Sequence, residues 1–234
     1  MKIGLLECDH VRDELLHIAG DYRQMFPALF ENTTTNWEWV FYDLINGHFP
    51  QHLDECDAYL CTGSRFSVYD HEPWIMRLKT LVQNLYATKK TFVGVCFGHQ
   101  MLAEALGGKV QKADGGWCVG IHRFQTSNST ALAIDNPQLL MMCQDQVVQL
   151  PPNAITLASS PDCPVAILQV GGSMLGIQAH PEFNKLYEAA LINLRIEQIG
   201  AQKAKKALES LTQPTDARAV AGYVLQFIES NARH

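Results

Sequence analysis

The sequence predicts an α/β fold: a doubly wound, mostly parallel central sheet flanked by helices, with additional smaller β-hairpins. Three observations carry this expectation. Short apolar runs alternate with stretches of helical period in the N-terminal part, one such helical stretch separates two of the runs, and after Gly107-Gly108 the texture changes to closely spaced strand-like pieces.

Residues 3–8, 37–44, 58–62 and 91–95 are the early strand candidates. Between the last two, Pro73-Trp74-Ile75-Met76-Arg77-Leu78 continues through Leu81 and Leu85 with apolar residues at helical spacing. Pro73 suits a first helical turn, where the N–H it lacks would be unpaired anyway. A strand, a crossover helix and a second strand imply parallel pairing. Residues 109–111, 118–125, 146–150, 155–158, 165–170 and 174–178 read as extra, partly antiparallel strands, with Gly171-Gly172 as a tight hairpin turn. After His180-Pro181-Glu182 the chain reads as helical to about Leu211, breaks at Pro214, and ends in a helix whose apolar stripe includes Val220, Val224 and Phe227. With no internal repeat and no linker-like tract, residues 1–234 are expected to form one domain.

Apolar residues make up 47% and charged residues 18%, the balance of an ordinary globular protein rather than a disordered or fibrous one. A net charge of -6 with only 18 Lys and Arg argues against a nucleic-acid partner, which needs a concentrated cationic face. Lys203, Lys205 and Lys206 read as the solvated side of a helix. Glu7 arrives before any hydrophobic stretch long enough for a leader or a span, so a cytoplasmic protein with no membrane partner is expected. Seven cysteines, an odd number without C-x-x-C pairing, suit a reducing compartment and speak against a disulfide framework or a bound metal. Cys8 and His10 read as a buried thiol beside a polar loop residue.

The chemistry is concentrated in Thr91-Phe92-Val93-Gly94-Val95-Cys96-Phe97-Gly98-His99-Gln100 and the helical residues that follow. A buried strand runs into a helix with a cysteine at the junction, and glycines two residues before and two after it are what a nucleophile elbow requires. The helix start offers free N–H groups and a positive dipole end, which favour thiolate over thiol. A tight turn holding a buried thiol fits the same string. The second element is Gly176-Ile177-Gln178-Ala179-His180-Pro181-Glu182. In an extended backbone, residues two apart project to one side, so His180 and Glu182 can lie together. Pro181 steers His180 away from helical angles. A thiol nucleophile needs a base held in one tautomer by an anion, and these side chains offer that combination.

Gly94-Val95-Cys96-Phe97-Gly98-His99-Gln100 together with His180-Pro181-Glu182 resembles the class I (triad) glutamine amidotransferases. Tyr59-Leu60-Cys61-Thr62-Gly63-Ser64, Ser67-Val68-Tyr69-Asp70, Pro73-Trp74-Ile75 and Gly116-Trp117-Cys118-Val119-Gly120 are similar to the stand-alone, GMP synthase-like branch, which includes plant γ-glutamyl peptidases. The resemblance implies a flavodoxin-like sheet and a glutaminase-type hydrolysis of a γ-glutamyl amide, with Cys96, His180 and Glu182 catalytic. It further implies an oxyanion hole at the N–H of Phe97 and an N–H near Gly63 or Ser64, with Gln100 and Trp117 holding substrate. Many relatives carry Gly-Gly-Pro where this chain has Gly63-Ser64-Arg65, so Ser64 is the departure from the pattern. No cofactor is implied. The chain lacks a Gly-x-x-x-x-Gly-Lys-Ser/Thr loop, so a synthetase that accepts the ammonia is expected to be a separate protein. Hydrolysis of γ-glutamyl peptides such as glutathione, and a non-catalytic regulatory role, stand as alternatives. His99 and His122 read as polar residues near the cleft, and Cys61 and Cys118 as small core hydrophobes.

Overall fold

The computed structural model describes residues 1–31, 36–127, 132 and 134–232. Its first half contains β1 (Lys2–Glu7), α1 (Leu16–Ala19), α2 (Tyr22–Phe30), β2 (Glu38–Asp43), β3 (Ala58–Cys61), α3 (Pro73–Ala87), β4 (Thr91–Val95) and α4 (Phe97–Ala105). There follow β5 (Lys109–Lys112), β6 (Cys118–Arg123), β7 (Gln125–Thr126), β8 (Gln138–Cys143), β9 (Asp145–Gln149), β10 (Ala154–Ser160), β11 (Cys163–Val170) and β12 (Met174–Ile177). Helices α5 (Lys185–Leu194), α6 (Ile196–Ile199), α7 (Ala201–Ser210) and α8 (Ala217–Asn231) complete the chain.

The 8-stranded sheet has the order β2-β1-β3-β4-β12-β11-β10-β7. Pairing is parallel from β2 through β12 and antiparallel from β12 outward. Every residue of β3, β4 and β12 is buried, as expected of parallel strands covered on both faces. Alternate side chains enter opposite layers. Leu60, Val93 and Leu175 join the core containing Phe26 of α2 and Val224 of α8. Tyr59, Phe92 and Met174 join the core containing Leu78 of α3 and Met101 of α4. Two antiparallel ribbons, β5 with β9 and β6 with β8, stand beside the sheet. No helix among the described residues is long and apolar enough to cross a membrane.

The expected strands are present with ends shifted by a residue or two, and the crossover helix is α3. The 118–125 stretch divides into β6 and β7, and the helical run after Glu182 divides into α5, α6 and α7, with Gly200 in a left-handed conformation at φ 89° between the last two. Three elements were not anticipated: α1, a single turn too short to show a period, and α2 and β8. Helix α2 carries Pro27 inside it, which masks the helical signal, yet Asp21 caps it reciprocally with Gln24. Strand β8 is a Leu-Leu-Met-Met run, apolar without alternation and poor in β-branched residues.

Parallel order brings the carboxyl ends of β3, β4 and β12 to one edge, with Cys61 in register with Gly94 and Gly94 with Gly176. The segments after these strands carry Gly63, Cys96 and His180. Close packing at the β4–α4 junction depends on two glycines: a Cβ on Gly94 would fall on the Gly98 carbonyl, and one on Gly98 would lie 2.7 Å from the Cys61 carbonyl oxygen. Helix α5 is tied to the β6 ribbon by Glu188, a fully buried acid whose Oε1 accepts from the Gly120 N–H at 3.2 Å. Burial pushes its carboxyl up to about 8, the charge on His180 opposing the shift.

Gly94→Ala is expected to destabilise the protein by about 2–3 kcal/mol or more, because the obstacle is backbone rather than a movable side chain. Thermal unfolding against the wild type checks this. Glu188 gives a second expectation. Between its unfolded value of 4.5 and about 8, the folded protein keeps a proton that the unfolded chain has released, so this residue lowers stability as pH rises. Glu188→Gln removes the effect, and its stability relative to wild type should grow by up to about 1.4 kcal/mol per pH unit across that window. Denaturant unfolding at a series of pH values tests it; parallel curves for the two proteins would contradict it.

Candidate active site

Cys96 sits between β4 and α4 with φ 50° and ψ -100°, a backbone conformation that L-residues rarely adopt. Its N–H donates to the Ile177 carbonyl at 2.8 Å and its carbonyl accepts from the Gln100 N–H at 3.0 Å, so both sides of the reversal are fixed. As the first residue of α4, Phe97 has an N–H with no intrahelical partner. The Cys96 side chain is nearly buried.

His180 follows β12 and is held by three contacts. Its N–H donates to the Leu140 carbonyl of β8 at 2.8 Å, its Nδ1 meets Glu182 Oε1 at 2.7 Å, and Phe183 stacks on the ring with centroids 4.0 Å apart. The carboxylate accepts, so Nδ1 carries the proton and Nε2 is the nitrogen left for the thiol. A Cβ on Gly63 would lie 2.9 Å from His180 Cε1 and 3.6 Å from Cys96 Cβ, so the loop after β3 packs flush against both groups. Burial alone would lower the imidazole's pKa. The negative charges of Cys96 and Glu182, with a hydrogen bond to each, outweigh it and raise it well above the ordinary 6.5. The protonated form of His180 is therefore favoured in its place between Cys96 and Glu182.

Two clefts meet at the sulfur. The smaller, about 40 Å³, reaches toward Asp9, Tyr22 and Tyr187. The larger, about 460 Å³, is bordered by Ser67, Asp70, Gln100, Trp117 and Asp145. Arg12, Ser64, Arg65, Met142 and Arg195 border both. Three guanidinium groups thus surround the approach to Cys96, which suits a carboxylate-bearing ligand.

Of the residues singled out from the sequence, Ser64, Gln100, Trp117 and His180 border these clefts with Cys96, Gly63 and Glu182 pack against His180, and Phe97 opens α4. Ser64 lies in a loop anchored by Asp9, which accepts from the Arg65 N–H at 2.8 Å and pairs with the Arg65 guanidinium at 3.4 Å. A proline at that place has no N–H, so the anchor belongs to this variant of the loop. Gln100 spends its amide nitrogen on the Asp145 carbonyl at 2.7 Å and on Gln178 Oε1 at 3.2 Å. Trp117 stands half-buried with the Arg195 guanidinium 5.5 Å above its ring. His99 is fully buried against Gly176 and kept neutral by that burial, its pKa lowered to about 4. His122 and Cys118 lie together in a separate cleft.

Arg12, Arg65 and Arg195 were missed in the sequence because isolated arginines carry no motif. Near the small cleft, His10 lies 2.8 Å from Asp21 and 3.3 Å from Asp43. Burial opposes its protonation, but these carboxylates prevail and raise its pKa. Glu7, His10 and Asp21 are close enough to share a cation, yet Arg23 already grips Glu7 at 2.7 and 3.1 Å, so the group is a neutralised ion-pair network. Cys8 is buried with its sulfur 3.3 Å from that of Cys61, as a core thiol.

Residues 61–194 match the family model described as glutamine amidotransferase class-I. The chain is 34% identical to γ-glutamyl peptidase 5 of Arabidopsis thaliana, over 82% of this chain and 81% of that protein. It is 29% identical to a glutamine-hydrolysing GMP synthase of Bacteroides fragilis over 57% of this chain and 26% of that one. The crystal structure of a glutamine amidotransferase from Thermotoga maritima superposes with a TM-score of 0.76 at 20% identity, covering 99% of both chains, which shows the shared fold. The elbow thiol, the histidine delivered by the neighbouring strand and these matches lead to one assignment: the chain belongs to the class-I glutamine amidotransferase family.

Proposed function

We propose that this protein hydrolyses γ-glutamyl amides through a thioester on Cys96. The observation that carries the reading is the buried His180, raised in pKa between Cys96 and Glu182. Such a pair lets the imidazole take up the thiol proton as the sulfur attacks and hold it for the leaving group. The Cys96 sulfur attacks the γ-carbonyl carbon, and the oxyanion takes hydrogen bonds from the Phe97 N–H and from the main chain at Gly63-Ser64; a missing donor of this type costs about 2.7–4 kcal/mol. His180 gives its proton to the departing nitrogen, so that neutral ammonia or amine leaves. The same imidazole then takes a proton from water as it attacks the thioester, releasing glutamate and restoring the thiol. Glu182 holds the ring in its tautomer and balances its charge. Gln100 and Trp117, at the border of the larger cleft, hold the glutamyl group. No cofactor is required.

With glutamine as substrate the released ammonia would pass to a separate synthetase. A second reading, hydrolysis of γ-glutamyl peptides, is favoured by a specific observation: besides Arg65, which Asp9 engages, Arg12 and Arg195 border both clefts and offer one cationic site more than an α-carboxylate needs. The similarity to Arabidopsis γ-glutamyl peptidases over four-fifths of both chains points the same way. Residues 1–234 act as one domain in either reading, since both cores lie on the two faces of one sheet. A cytoplasmic location fits the free cysteines.

Steady-state hydrolysis of glutamine, a γ-glutamyl dipeptide and glutathione, with and without cell extract, tests the substrate. Turnover of peptides by the isolated protein supports the second reading; turnover of glutamine only in extract supports a synthetase partner. Cys96→Ala should abolish hydrolysis of every substrate. Glu182→Gln should lower kcat by roughly 10²–10⁴-fold with a smaller change in KM, because its role is to hold and balance the histidine. Unchanged kcat in Glu182→Gln would contradict the mechanism.

A further inference from the structure

A second thiol–imidazole pair lies outside the site described above. Cys118 and His122 are both on β6 and border a separate cleft of about 640 Å³, with Asp162, Lys203 and Lys206 on its rim. The Cys118 sulfur is 3.6 Å from His122 Nε2 and 3.8 Å from Nδ1. His122 Nε2 also lies 3.1 Å from the Val119 carbonyl oxygen, which can only accept, so Nε2 carries a proton and Nδ1 is the nitrogen that titrates. Asp162 Oδ2 stands 3.9 Å from that Nδ1 and balances it when protonated. Across the ribbon, Cys118 is in direct register with Cys143 of β8. Hydrogen bonding from the Cys143 thiol is the largest cause that lowers the Cys118 thiol to about 6 against its burial, with His122 adding to it. Cys143 itself is pushed well above 9. Cys163 of β11, raised chiefly by burial, also feels this charge.

We propose that Cys118 and Cys143 form a peroxide-responsive thiol pair. The Cys118 thiolate attacks hydrogen peroxide or an organic hydroperoxide: an S–O bond forms, the O–O bond breaks, and two sulfur electrons reduce the peroxide. The departing hydroxide or alkoxide takes a proton from His122 and leaves as water or alcohol. The Cys143 sulfur then attacks the sulfenic sulfur, forming an S–S bond as the S–O bond breaks, and its thiol proton leaves with the hydroxide as water. Directly opposed residues in an antiparallel pair have Cβ atoms roughly 4.5–5.5 Å apart, against about 3.8 Å in a disulfide, so closure asks about 1 Å of the ribbon. The bond would form in the strand whose Leu140 carbonyl holds the His180 N–H, and Cys143 borders the larger Cys96 cleft. The pair's oxidation does not rest on the role assigned to Cys96.

The Cys8 and Cys61 sulfurs, 3.3 Å apart and with no imidazole bonded to either among the described residues, provide an internal control for proximity alone. Cys96→Ser protein is treated with hydrogen peroxide at neutral pH and its disulfides are mapped by non-reducing peptide mass spectrometry. The Cys118–Cys143 bond should form at least about 10-fold faster than Cys8–Cys61, as expected of a thiolate against a buried thiol. His122→Gln should slow it by about 10-fold, and Cys143→Ser should leave a sulfenic acid on Cys118 that dimedone traps. Oxidation of Cys8–Cys61 at an equal or greater rate, or a Cys118 that stays reduced while peroxide oxidises other thiols, would overturn the proposal; the comparison of the two pairs needs no variant at either.

Discussion

The backbone reversal at Cys96 is the constraint on which the site depends. A cysteine at φ 50° and ψ -100° is held there because Gly94 and Gly98 let strand, helix and the neighbouring β3 carbonyl approach within distances that no side chain allows. The strain is offset by the paired backbone on either side, with the Cys96 N–H on β12 and its carbonyl on the first turn of α4. The result is a sulfur lifted off the sheet edge and aimed at the segment that leaves β12.

That segment illustrates how topology becomes chemistry. His180 comes from more than eighty positions downstream, yet β12 pairs directly with β4, so their carboxyl ends emerge side by side. A buried imidazolium is costly alone and tolerable only when its charge is matched. Here it is matched by Glu182 at 2.7 Å and by the Cys96 sulfur, while β8, the loop at Gly63 and the Phe183 ring fix its position. The third contact layer, three arginines at the cleft mouths, acts on the ligand rather than on the thiol.

Much of this was legible in the sequence because the relevant signals are local. The two glycines flanking Cys96 report a steric need and the buried runs of β3 and β4 report a covered sheet; the His-Pro-Glu string reports a histidine beside its acid, but β12 ends at Ile177 and the two meet across a turn at Pro181-Glu182 rather than along the extended backbone expected. What escaped was non-local or disguised. Strand β8 has no alternation to reveal it, and α2 hides behind Pro27. Arg195 acquires meaning only when the end of α5 folds over Trp117. Cys118 is the buried core residue that the sequence suggests, and its neighbours Cys143 and His122 become visible only once β6 pairs with β8. Glu188 gave no sign of being buried, since a glutamate in a helical stretch usually faces water.

The most direct test of the central claim is covalent labelling of the folded protein with a glutamine analogue carrying a chloroketone in place of the carboxamide, followed by peptide mapping. A thiol activated by His180 in a glutamyl-binding cleft predicts one adduct, on Cys96, forming much more slowly in His180→Asn. Labelling confined to other cysteines, or a Cys96 that reacts equally well without the imidazole, would contradict it.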